Sequence, residues 1–214
     1  MGVRTRNSVL AELADLIRAA DRPLQTNWVI VHNGFANWTR RTDLRGELRR
    51  HLRSLDGTDA EEVLARSRET TTHFAWCLHN QPEDEFSIWL HEYKPQIDWR
   101  PGYADSVHNH RYHFCTTILR GGYRHQRFAA ELDPVSGLIR DVRLVRSTDC
   151  GPTTTGYLLA EEFHRIPAAV DSTMTLLVKS RPLRDYSLSF DPATNTGHRH
   201  VPVESRLDEL TARI

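Results

Sequence analysis

The spacing of apolar residues changes character near His73. Before it, apolar positions recur with helical period: in VLAELADLIRAA, Val9, Leu10, Leu13, Leu16 and Ile17 fall on one face. Ser8 is placed to cap this helix and Asp21-Arg22-Pro23 to stop it. Further helices are expected over Asp43–Leu55 and, after the Gly57-Thr58 break, over Asp59–Arg68. Residues 1–70 therefore read as mostly helical.

From His73 onward the chain consists of short β-rich runs: HFAWCLH, FSIWLHEY, YHFCTTILRGG, YRHQRFAAEL, LIRDVRLVRS, TGYLLAEEF and MTLLVKS. Turn signals divide them, among them Arg100-Pro101-Gly102, Gly121-Gly122 and Asp133-Pro134-Val135-Ser136-Gly137. Short strands punctuated by Gly and Pro predict a sandwich or barrel. The expected fold is mainly β, a jelly-roll barrel over residues 71–202. Residues 1–70 pack on one outer face and residues 203–214 form a tail with a short helix. A chain of 214 residues fits one such domain, 1–214.

Composition narrows the function classes. The 28 Lys+Arg balance 28 Asp+Glu, so there is no global field to draw nucleic acid or a membrane surface. The basic run Arg45–Arg53 reads as a solvated helix face, and no nucleic-acid-binding motif is present. No window approaches the ~18 uninterrupted apolar residues of a membrane span, and Glu12 and Asp15 break the segment after Met1–Arg6, unlike a secretory leader. Cys77, Cys115 and Cys150 lie far apart without a CxxC pair, which suits a reducing cytoplasm. No nucleic-acid or membrane partner is expected.

Twelve histidines against two methionines is the one compositional oddity. The densest cluster runs from Gly102 to Cys115. On a strand, residues i and i+2 share a face, so His108 and His110 present two imidazoles side by side. His113 has the wrong parity to join them. A third imidazole, His164 in FHRIP, ends a later run that an antiparallel barrel can bring beside the pair. Three neutral imidazoles can hold a divalent metal and leave positions open for substrate and dioxygen. The spacing also allows a structural alternative, in which these histidines bond backbone carbonyls. His91 and His125 read as surface or core residues, while His198 and His200 repeat the HxH spacing in a Gly-rich tail, where a second metal role is the lesser alternative.

Gly102-(five residues)-His108-x-His110 followed by Gly121 resembles the first motif of the cupin superfamily, with Cys115 where that motif usually carries Glu. That exchange resembles the cysteine dioxygenase-like (thiol dioxygenase) branch. GYLLAEEFHRIP, MTLLVKSRP and FDPATNTGHRHV resemble that branch's third-histidine strand, its following strand and its tail, so the similarity runs from Phe74 to Val201. The resemblance implies iron(II) on His108, His110 and His164, with Cys115 beside the metal and a homodimer as an allowed assembly.

The departures bear on substrate. Where the branch carries a carboxylate-binding arginine, this chain reads Phe74-Ala75-Trp76, and an indole cannot act as a guanidinium fork. Where it carries a tyrosine able to cross-link to the cysteine, the simplest alignment gives Phe190; Tyr186 supplies a phenol only if the loop shifts by a turn. Free cysteine is therefore not the expected substrate. Trp76 and Phe74, with Trp89 and Trp99, are candidate walls for a larger compound. Arg111, Arg165 and Arg181 are candidate cations, and Tyr157 is a candidate phenol donor. The leading expectation is an iron(II), O2-using oxygenase acting on a small thiol or amino-acid-derived substrate. The alternatives are a metal-dependent isomerase, lyase or hydrolase without O2 chemistry, and a non-enzymatic small-ligand-binding cupin.

Overall fold

The computed structural model describes residues 8–20, 23–202 and 206–213. Four helices come first: α1 (Val9–Arg18), α2 (Trp28–Trp38), α3 (Leu44–Arg53) and α4 (Gly57–Arg66). The Ser8 hydroxyl accepts from Ala11 N at 3.1 Å and opens α1 as expected. Helix α4 begins two residues earlier than the Gly57-Thr58 break suggests. The Asp56 carboxylate accepts from Asp59 N at 3.0 Å, and a glycine is tolerated in the first turn that this cap organises. Helix α2, not singled out from the sequence, buries Trp28, Val31, Phe35 and Trp38. Of the proposed α1 stop, Asp21 and Arg22 lie outside the described residues.

Among the described residues twelve strands follow: β1 (Arg68–Glu69), β2 (His73–His79), β3 (Phe86–Tyr93), β4 (Val107–His108), β5 (Phe114–Arg120), β6 (Tyr123–Leu132), β7 (Ile139–Cys150), β8 (Thr155–Leu158), β9 (Phe163–Ala169), β10 (Met174–Ser180), β11 (Ser187–Asp191) and β12 (Thr196–His200). They form two antiparallel six-stranded sheets in the orders β1-β2-β3-β10-β5-β8 and β12-β11-β4-β9-β6-β7. This is a mainly β, jelly-roll-like double sheet, as the strand pattern predicts. A last helix, α5 (Leu207–Arg213), lies in the tail.

Alternation along the strands of the first sheet decides what faces where. Phe86, Ile88, Cys115, Leu176 and Val178 join Leu13, Ile17, Trp28 and Phe35 in one buried cluster, so the helices cover that sheet's outer face. Ala75, Cys77, Trp89, Phe114, Leu158 and Leu177 form a second cluster on the inner face. Strands β3 and β10 are therefore buried on both sides, which explains their nearly unbroken apolar runs. At the β5–β6 turn Gly121 adopts φ +74°, and a Cβ there would lie 2.9 Å from Thr173 Cα. The same close approach lets Gly122 N donate to Thr173 Oγ1 at 2.9 Å, tying the turn to the start of β10.

Two expectations about strands change. The histidine-bearing segment is not a continuous strand: β4 is only Val107–His108, and the chain leaves the sheet before His110. TGYLLAEEF is two strands in different sheets, β8 and β9, joined by a turn in which Glu162 Oε2 accepts from Leu159 N at 2.7 Å.

Candidate metal centre

Strand pairing brings the three histidines together. His108 on β4 stands directly opposite His164 on β9. His110 reaches the same point from the loop after β4, and one ring nitrogen from each of the three lies within 4.8 Å of the others. His110 Nε2 and His164 Nε2 are 2.9 Å apart. Two nitrogens each ~2.1 Å from one ion at a right angle are separated by about 3.0 Å, so this pair suits adjacent ligand positions on a single metal.

Hydrogen bonds fix the tautomer of His108 and are compatible with the one that ligation needs at His164. His108 Nδ1 lies 2.9 Å from Ser106 O and can only donate to a carbonyl, which leaves its Nε2 lone pair free. His164 Nδ1 lies 3.1 Å from His125 Nε2; with its own Nε2 on a metal, Nδ1–H donates to His125. Burial disfavours the imidazolium at each position. It lowers the pKa of His108 to about 4 and holds His110 and His164 well below the usual range, where neighbouring imidazoles add to the effect. All three are neutral at pH 7, the form a divalent cation binds. The donor set fits the metal site inferred from the sequence.

Aromatic rings fix the ligands. Phe114 packs edge-on against His110 at 5.0 Å, Tyr112 stacks on His110 at 5.1 Å, and Tyr103 lies 4.5 Å from His108. The Tyr103 hydroxyl donates to Asn109 O. These contacts restrict ring rotation around the point where the nitrogens converge.

The triad lies in the wall of a cavity of about 810 Å³ between the sheets. Tyr157 and Arg111 line it. The remaining candidates sit elsewhere. Cys115 alternates with Phe114 and Thr116 on β5, so its thiol enters the helix-covered cluster and burial pushes its pKa well above the ordinary range. The expectation that Cys115 stands beside the metal is corrected by this parity. Phe190 packs with Val107, Ile139 and Leu188 outside the cavity, and Tyr186 is exposed beneath the Arg199 guanidinium. Phe74 and Trp76 alternate with the cavity-lining Ala75 and so face away from it. Arg165, between the inward His164 and Ile166, donates to Asp105 O at 2.6 Å.

Several cavity residues escaped the sequence reading. His125 joins Tyr123 and Arg127 on the inner face of β6, and Lys179 follows Thr175 and Leu177 on the inner face of β10. Alternation in MTLLVKS puts Lys179 on the same face as Thr175 and Leu177, but only the packing shows that this face looks into the cavity. Replacing His125 with phenylalanine, which keeps the bulk and removes the acceptor for His164 Nδ1–H, should weaken metal affinity about 10–100-fold. Chelator competition monitors this, with an unchanged circular dichroism spectrum as the control for folding.

No family model matches the sequence, and no curated protein matches it either. Solved structures with partial similarity include a Bacillus subtilis oxalate decarboxylase mutant (15% identity, TM-score 0.40, 68% of this chain and 34% of that one). A DMSP lyase structure is similar over 56% of this chain and 60% of that one, at 13% identity and TM-score 0.39. The Momordica charantia 7S globulin is similar at 9% identity and TM-score 0.39, over 64% of this chain and 35% of that one. The chain spans less than two thirds of the length of each.

Proposed function

We propose that this protein is a non-haem iron(II) enzyme of cupin type that uses dioxygen to oxidise a small thiol or amino-acid-derived substrate other than free cysteine. The observation that carries this reading is the convergence of three neutral imidazole nitrogens in the wall of a large interior cavity. Three ligands leave coordination positions facing the cavity, room for a chelating substrate and a small gas together. An iron(II) ion there would supply the one-electron chemistry that dioxygen requires. The chain's own residues orient and exclude: Phe114, Leu158, Ile166 and Leu177 make part of the wall apolar, while His125 holds His164 in its ligating tautomer.

A second reading, a metal-dependent lyase or isomerase, has its own support in Lys179. Burial lowers the pKa of this cavity amine to about 7, so it can take or give a proton near neutral pH. Metal analysis of anaerobically purified protein, followed by oxygen-uptake assays with thiols and amino-acid derivatives, separates the two. About one iron per chain with substrate-dependent oxygen consumption supports the oxygenase. Zinc, nickel or manganese at that stoichiometry, with turnover under anaerobic conditions, supports the second reading and removes the first.

A further inference from the structure

The cavity's charge does not match the chain's. The chain is neutral overall, with 28 basic and 28 acidic residues, yet every charged side chain lining the cavity is cationic: Arg68, Arg111, Arg127, Arg146 and Lys179. Arg127 is neutralised by Glu162 at 2.8 Å, and Arg146 donates to Thr148 Oγ1. Lys179 is only 4% exposed. Its Nζ lies 4.1 Å from the Trp89 ring centre and 5.3 Å from that of Tyr112. The Arg68 guanidinium sits over the same indole at 5.0 Å. Neither Lys179 nor Arg68 forms an ion pair with another described residue.

A buried ammonium without a carboxylate is costly to fold around, and ring faces recover only part of its hydration. Two unpaired cations sharing one aromatic platform form a receptor for an anion. Tyr112, whose ring centre lies 5.3 Å from Lys179 Nζ, stacks on His110 at 5.1 Å, so one ring separates the amine from the histidine cluster. The three metal ligands are neutral, so the charge of a bound divalent ion would add to the same positive field.

We propose that Lys179 and Arg68 form the site for the substrate's carboxylate, so that the substrate is a small organic acid held by its anion at these two cations while a second donor atom reaches the metal. This names the substrate class of the site proposed above and rests on that reading for the metal-facing end alone. The anion site comes from β10 and β1, not from the Phe74-Ala75-Trp76 segment where the sequence lacks an arginine. The carboxylate would pair with Lys179 and supply the negative charge that no described side chain places beside it.

Benzoate and its neutral isostere benzamide test this on the intact, metal-stripped chain by calorimetry, with iron binding measured in parallel on the same variants. Benzoate is expected to bind at least tenfold more tightly than benzamide, and Lys179→Gln to remove that preference. Arg68→Gln, at an exposed position where folding is not at stake, should weaken benzoate about tenfold and leave benzamide unchanged. Equal binding of the two probes, or an unaltered preference in a folded Lys179→Gln or Arg68→Gln protein, overturns the carboxylate site. If iron fails to bind while the benzoate preference persists, the metal reading fails and the anion site stands.

Discussion

Replacing His164 with alanine should abolish metal binding. The wild-type chain is expected to retain about one iron per chain and His164→Ala none after equal dialysis, with activity falling by at least about 100-fold. The variant loses one of three protein ligands and the one whose orientation His125 secures, and second-shell losses alone cost about 10–100-fold in affinity. His164 is also packed by Phe114 and lies opposite His108, so the fold must be checked separately. A His164→Gln variant, closer in volume, controls for the cavity left by alanine. Full metal retention in either folded variant would remove the three-histidine centre.

The second large effect is on stability against pH. His73 and His91 stack at 4.3 Å on the cavity wall, close to the cations Lys179 and Arg68. Burial lowers the His73 pKa to about 3 and holds His91 well below its ordinary value of 6.5. Unfolded histidine titrates near 6.5, so between pH 6.5 and 3 the unfolded chain binds more protons than the folded one, and stability falls as the pH is lowered. His73 alone should cost about 3 kcal/mol by pH 4, at roughly 1.4 kcal/mol per unit. Lys179 adds a trend of the same sign at higher pH. Its folded pKa of about 7 lies below the ordinary 10.5, so the cost of burying its charge is relieved as pH rises from 7 to 10.5. Denaturant midpoints of the metal-free protein should therefore rise from pH 5 to 7 and again from 7 to 9. A flat profile from 7 to 5 would show that these imidazoles are not buried. Replacing His73 with glutamine should remove only its own share of the acidic slope, because His91, His108, His110 and His164 titrate in the same direction.

Much of this protein was legible along the chain. The strands His73–His79, Phe86–Tyr93, Tyr123–Leu132 and Met174–Ser180 coincide with runs visible in the sequence, because apolar alternation and Gly or Pro turns are local properties. The three histidines were singled out by their resemblance to family motifs, since the HxH spacing alone recurs at His198 and His200. The reason given for the pair was incomplete, since His110 leaves the sheet and reaches the site from a loop.

Sequence alone determined that the chain is helical first and β-rich afterwards, and which three imidazoles could share a metal. Tertiary structure decided which side of each strand faces the cavity and which faces the helices. Cys115 and Phe114 are adjacent in sequence, yet one enters the helix-packed cluster and the other touches two of the three clustered histidines. Strand period fixes that they oppose one another but not which of the two points inward. The answer depends on where α1 and α2 cover the first sheet, a contact between segments far apart in the chain. The same covering turned Lys179 inward and left Trp76 and Phe74 facing away from the cavity.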